Sequence, residues 1–132
     1  MTMTIQNFIE QNKIKMSCEY ADSNPNMADS ANMNHYKCQL RRSGKQLTIN
    51  FSQGYGISGD PEVESVLSCL ASDSIGVENA GNFEDWAQEY GYDTDNRKAE
   101  KIYKVCERQS QKLKNFLGEE LYGKLLWETE QY

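Results

Sequence analysis

Apolar and polar residues alternate with two different periods along this chain, and the change of period separates a sheet-forming part from a helix-forming part. Ile5, Phe8 and Ile9 recur at helical spacing and predict a short amphipathic helix over residues 4–12. Ile14, Met16, Cys18 and Tyr20 then alternate with Lys15, Ser17 and Glu19, the period-two pattern of a half-buried strand. Tyr36, Cys38 and Leu40 repeat that alternation, and Leu47, Ile49 and Phe51 resume it after Ser43-Gly44. Two alternating runs around a glycine-containing turn predict a β-hairpin. Together with the first strand it makes a three-stranded antiparallel sheet with one apolar face. Residues 21–34 between them hold four Asn, one Pro and no large aliphatic side chain except two Met. That composition buries little, so a mobile loop is expected there.

Beyond Phe51 the period becomes helical. Asp60-Pro61 combines a capping side chain with a ring whose φ is already set, and predicts a helix start. Val63, Val66, Leu67 and Leu70 mark its face, which runs out near Asp73. Residues 72–81 contain Gly76, Gly81 and small polar side chains, and read as a loop. Asn82 is placed to cap a short helix carrying Phe83, Trp86 and Tyr90, with Gly91 at its exit. Asp93, Thr94 or Asp95 then caps the longest helix, which reaches about Leu117. Ala99, Ile102, Tyr103, Cys106, Leu113 and Leu117 fall on one side of it. Arg97, Lys101, Lys104, Arg108 and Lys112 form a basic stripe almost opposite. After Gly118, Leu121, Tyr122, Leu125 and Leu126 define a last helix, with Trp127 sealing its edge.

The fold class expected is α+β: a small antiparallel three-stranded sheet, hairpin plus N-terminal strand, packed against a C-terminal helical layer. Its core should include Met16, Cys18, Cys38, Leu40, Leu47, Ile49, Phe51, Val66, Leu67, Leu70, Trp86, Ile102, Cys106 and Leu113. The densest stretch is 83–99, FEDWAQEYGYDTDNRKA, with four aromatic rings and five carboxylates in its first thirteen residues. It is the expected hub onto which the sheet docks.

At 132 residues the chain suits a single domain, 1–132, with one core. Its 38% apolar and 26% charged residues are those of a soluble globular protein, and no apolar run reaches the roughly 18 residues of a membrane span. The first residues lack the basic and apolar regions of a secretory signal, so a cytoplasmic location in whatever cell makes the protein is expected. The net charge of −6 conceals a pattern. Residues 46–96 carry ten acids and no Lys or Arg, whereas 97–114 carry seven bases against two acids. Such a balance argues against non-specific nucleic-acid binding and favours a partner with a basic face.

The remaining chemistry is sparse. Cys18, Cys38, Cys69 and Cys106 lie far apart in sequence, and the only histidine is His35, so neither zinc spacing nor a redox C-x-x-C is present. Two of the cysteines can bridge in an oxidising compartment; in a reducing one they are buried small hydrophobes. Gly54-Tyr55-Gly56-Ile57-Ser58-Gly59 has the G-x-G-x-x-G form but follows a hairpin strand and precedes no second parallel strand. Asp93-Thr94-Asp95 opens like a calcium loop, but Arg97, Lys98 and Lys104 stand where that loop needs its further ligands and glycine. No Ser or Cys sits in a recognisable nucleophile elbow. No catalytic, cofactor or metal residues are therefore assigned.

FEDWAQEYGYDTDNRKAEKIYKVC, with the earlier FSQGYG and PEVESVLSCLASD and the later LGEELYGKLL, resembles small proteins encoded by tailed phages and prophages. The likeness covers roughly residues 36–126. Most members of that group have no assigned function, and small acidic phage proteins of this size include anti-CRISPR and other anti-defence inhibitors. The resemblance implies a non-enzymatic inhibitor of a host defence complex. Its partner would be a host protein or ribonucleoprotein with a basic surface. The candidate contact residues are Glu84, Asp85, Glu89, Tyr90, Tyr92, Asp93 and Asp95, an acidic face imitating a phosphate backbone. The alternatives are a phage accessory factor or enzyme acting on nucleic acid, and a phage structural or assembly protein.

Overall fold

The structure, a computed structural model, describes residues 4–24, 33–54 and 59–130. The elements in chain order are α1 (Ile5–Gln11), β1 (Lys15–Asn24), β2 (Met33–Arg42), β3 (Lys45–Gly54), α2 (Val63–Ala80), α3 (Phe83–Glu89), α4 (Arg97–Leu117) and α5 (Glu119–Glu130). The class is α+β, with an antiparallel sheet of order β1-β2-β3 and five helices among the described residues. The chain divides into two compact units: Gln6–Val66 holds the sheet, and the part from Leu67 onward holds most of α2 with α3 to α5.

In the sheet unit, register explains the alternation. Met16, Leu40 and Leu47 face one another across the three strands, as do Cys18, Cys38 and Ile49, and then Tyr20, Tyr36 and Phe51. Each row puts apolar side chains on one face, because a strand's side chains repeat every two residues. Cys38, Leu40, Leu47 and Ile49 are buried on the two inner rows, whereas Met16 and Cys18 on edge strand β1 are half-buried. Tyr20 is exposed and meets Tyr36 edge-on at 5.7 Å. The hairpin turns through Ser43 and Gly44 at φ 48° and 79°, the pair of positive values a two-residue type I′ turn requires.

The strands run further than their hydrophobic pattern. Residues 21–24 and 33–34, expected in a mobile loop, continue the β1–β2 ladder past a bulge between Tyr20 and Asp22. Backbone pairing to β2, itself paired to β3, holds polar residues that composition alone assigns to a loop. Residues 25–32 of that expected loop, and residues 55–58 of the G-x-G-x-x-G stretch, lie outside the described residues.

Three helix boundaries also differ from those the sequence predicts. α2 starts at Val63, and Pro61 lies ahead of it as a buried residue whose carbonyl accepts a long contact from the Cys18 thiol at 3.7 Å. α2 then continues through the expected loop to Ala80. Small side chains make this possible: Ala71 and Ser74 are fully buried and extend the Leu67–Leu70 face by another turn. The cap of α4 is Asn96, whose Oδ1 accepts from the backbone N–H of Lys98 at 2.9 Å and of Ala99 at 3.4 Å. Asp93 instead closes a turn, accepting from the Asp95 N–H at 3.2 Å.

Gly76 has a packing reason for being in the middle of α2. A Cβ there would collide with the Tyr90 hydroxyl and stand 3.2 Å from two Tyr90 ring carbons. A glycine-to-alanine change inside a helix ordinarily stabilises by about 0.5–1 kcal/mol. Here the sign should reverse: Gly76→Ala is expected to destabilise the parent, yet to stabilise a Tyr90→Ala background. Urea unfolding of the four proteins measures the cycle, and a stabilising Gly76→Ala in the parent would remove this reason for the glycine.

The helical unit packs Trp86, Ala87, Ala99 and Tyr103 into one cluster, with Val77, Ala80, Phe83 and Ile102 against it. α4 buries Ala99, Tyr103, Leu113, Phe116 and Leu117 while its basic stripe stays exposed. α5 contributes Tyr122, Leu125 and Leu126, but Trp127 is 63% exposed instead of sealing the helix edge. Leu126 and Trp127 are neighbours on a helix, so the two point to different faces.

Burial leaves a signature on ionisation. It pushes the Cys38 thiol up to about 12, helped by the hydrogen bond and charge of Cys18 and the charge of Asp60. It takes the Cys106 thiol to about 11, with Asp73 adding, and the Tyr122 phenol to about 12. In each case the folded state holds its proton more tightly than the unfolded chain. The stability so contributed is complete below the unfolded values of 9.0 and 10.0 and is lost as pH rises through about 11 to 12. The urea midpoint is therefore expected to fall steeply over this alkaline range, and Tyr122→Phe should flatten part of the fall. A midpoint that stays level to pH 12 would contradict the burial of these groups.

Candidate functional site: an acidic surface backed by aromatic rings

The surface of interest is α3 with the turn that follows it. Asn82 starts the helix, accepting from the Asp85 N–H at 2.8 Å, while its own amide donates to the Asp85 carboxylate at 3.2 Å. Glu84 and Asp85 thus sit in the first turn, where the helix dipole favours acids. The exit is a Schellman arrangement: the Tyr92 N–H reaches the Ala87 carbonyl at 2.7 Å and the Gly91 N–H reaches the Gln88 carbonyl at 3.2 Å. This reversal folds Tyr92 back over the helix.

The consequence is a stack centred on Trp86, which is only 5% exposed. Tyr92 lies parallel to it at 5.4 Å with an interplanar angle of 8°, and Tyr90 tilts against it at 5.3 Å. Phe83 and Tyr103 close the inner side at 6.4 Å and 5.4 Å. Tyr90 and Tyr92 remain 52% and 38% exposed, so each has one side packed and one side open. Such half-buried aromatics are rigid contact area at low entropic cost.

All seven candidate residues are exposed: Glu84, Asp85 and Glu89 on α3, and Tyr90, Tyr92, Asp93 and Asp95 after it. The five carboxylates therefore share one solvent-facing stretch of chain. Lys104 of the α4 stripe pairs with Glu100, one turn earlier on its own helix, at 3.0 Å. That cation is engaged within α4. Glu84 also acts at a distance: burial first, then the charges of Glu107 and Glu84, push the Tyr103 phenol up.

Two arrangements escaped sequence reading. His35 Nδ1 and Ser52 Oγ stand 2.6 Å apart, on directly opposite positions of β2 and β3. They make a cross-strand polar pair, the ordinary use of such positions. At the turn end of the sheet, Lys13, Lys15, Arg41, Arg42 and Lys45 line a cavity of about 240 Å³, completed by Ser43, Gly44 and Gln46. Its lining contains no carboxylate, and the buried Arg42 Nε has no hydrogen-bond partner among the described residues. Register was the missing signal: Lys15 is opposite Arg41, and Arg42 is opposite Lys45. Among the described residues, no three His, Cys, Asp or Glu side chains converge as a metal ligand set, and no helix is long and apolar enough to cross a membrane.

No protein-family model, no curated protein and no solved structure matches the chain.

Proposed function

We propose that this protein is a non-catalytic binding protein that blocks a host defence complex, such as a CRISPR effector, by setting its acidic surface against the partner's nucleic-acid-binding face. One observation carries the reading: five exposed carboxylates lie on the same short stretch of chain, 84–95, as two exposed tyrosines whose rings pack on Trp86. A surface dense in charge of one sign steers association toward a basic surface. A duplex presents one phosphate charge per about 1.7 Å of axis, so a protein with a dense acidic face competes for the same Lys and Arg residues. The exposed parts of Tyr90 and Tyr92 add contact area beside these acids. The defence-complex class of partner rests on the resemblance of residues 36–126 to phage-encoded proteins.

The test is capture by the tagged full chain from lysate of a bacterium expressing a defined CRISPR effector, followed by DNA-binding assays on the captured complex. The expected result is salt-sensitive capture and loss of target binding by the effector. Recovery of virion proteins instead would favour a structural or assembly role.

A second reading, a phage accessory factor that contacts nucleic acid, is favoured by the five-cation cavity at the turn end of the sheet. It requires that a labelled single-stranded oligonucleotide bind the protein at low salt and that Arg41→Glu with Arg42→Glu abolish the binding.

A further inference from the structure

Cys18 and Cys38 are directly opposite each other on β1 and β2, and their Sγ atoms are 3.0 Å apart. Both are free thiols. Directly opposite residues of an antiparallel pair have Cα atoms about 4.5 or 5.5 Å apart, and either spacing falls inside the roughly 4.4–6.8 Å that a disulfide spans. Closing the sulfurs to a bond length of about 2.05 Å needs about 1 Å of side-chain movement and no change of register.

We propose that Cys18 and Cys38 are a redox modification site, a dithiol that a low-molecular-weight disulfide of the glutathione class converts to a cross-strand disulfide. Cys18 is the attacking thiol, because it is half-buried while Cys38 has no exposed surface. Cys18 loses its proton to solvent, and the thiolate attacks one sulfur of the oxidant. The oxidant's S–S bond breaks, one small thiolate leaves and takes up a proton, and a mixed disulfide remains on Cys18. Cys38 then gives up its proton and attacks Cys18 Sγ. The new Cys18–Cys38 bond forms as the mixed disulfide breaks, and the second small thiolate leaves and is protonated. Two electrons and two protons pass from the protein to the oxidant, which ends as two thiols. The high proton affinity that burial gives Cys38 agrees with its acting second, when its target is already in contact.

The modification has a structural address. Cys18 donates its S–H to the Pro61 carbonyl, and oxidation removes that donor. The neighbouring Gly59 carbonyl keeps its bonds from Gln53 at 2.7 Å and Tyr36 at 3.4 Å. The segment leading into α2 therefore loses its Cys18 tie to the sheet while β1 and β2 become covalently joined. A crosslink restricts the unfolded chain, so the oxidised protein should unfold at higher urea.

The experiment uses the full chain with Cys69→Ser and Cys106→Ser, which leaves only this pair, together with the parent. The folded protein is incubated with oxidised glutathione, quenched in acid, unfolded, alkylated and weighed intact. The expected product lacks two hydrogens, carries no glutathione, takes up no alkylating agent, and returns to two free thiols after reduction. Adding Cys38→Ser should trap glutathione on Cys18. Both thiols remaining alkylatable, or glutathione persisting on Cys18 while Cys38 stays alkylatable, would overturn the proposal; so would a product linked between chains. If the serine variants do not fold, the mass and peptide map of the oxidised parent decide the same question.

Discussion

Replacing Trp86 by Ala is expected to lower the unfolding free energy by about 3–5 kcal/mol, the range for removing a buried large aromatic. Trp86 is 5% exposed and contacts Phe83, Tyr90, Tyr92 and Tyr103. Each favourable ring pair adds roughly 0.5–1.5 kcal/mol beyond its buried area, so several contributions are lost together. Loss of the indole also unseats Tyr90 and Tyr92, which rest on it. Urea unfolding of Trp86→Ala beside Tyr92→Ala checks this: the tyrosine change should cost far less, because its ring is partly in water. A Trp86→Ala cost below about 1 kcal/mol would mean that the stack is not part of the core of this unit.

Reversing Glu84, Asp85 and Glu89 to Lys together should weaken capture of the partner complex by roughly 100-fold at matched salt, within the range for disrupting close charge pairs across an interface. The cost to the fold is not zero. Asp85 stands in the first turn of α3 and accepts from the Asn82 amide, so its reversal forfeits a favourable dipole interaction of about 0.3–1 kcal/mol. Three reversals also take the net charge from −6 to zero, which lowers solubility. The neutral set Glu84→Gln, Asp85→Asn and Glu89→Gln keeps a charge of −3 and should weaken capture to an intermediate degree. Circular dichroism and the urea midpoint establish that both variants fold. If the folded triple-Lys protein captures and inhibits as the parent does, the acidic surface is not where the partner binds.

Most of the secondary structure was legible because it rests on periodicity. The hairpin around Ser43-Gly44, the cap at Asn82, the exit at Gly91 and the two-sided character of α4 are each set by residues close in sequence. The expected core positions Cys38, Leu40, Leu47, Ile49, Val66, Leu67, Leu70, Trp86 and Leu113 are buried, and Met16, Cys18, Phe51, Ile102 and Cys106 are half-buried. The boundaries were less legible. Residues 72–80 look like a loop to any local reading, since Gly76 is a poor helix residue and Ser74 is polar. They are helical nonetheless, with Ala71 and Ser74 buried on the inner face and the Tyr90 ring lying against Gly76. That contact joins positions fourteen residues apart.

The candidate surface divides in the same way. Its residue types were visible as a run of acids and aromatics, and the charge reversal at Arg97 was visible too. Local composition sets how many carboxylates a segment holds. Where each cation goes depends on side-chain distances: Lys104 could have turned toward the acids before Arg97, and it pairs with Glu100 on its own helix. The cysteines show the division most sharply. Cys18 and Cys38 are twenty residues apart with nothing between them to mark a pair, and antiparallel register alone places their sulfurs 3.0 Å apart. Hydrophobic spacing and capping are local, so the period of each segment and most helix starts could be read directly from the order of residues. Strand register and helix ends could not, because pairing and packing energies depend on residues that meet only through space.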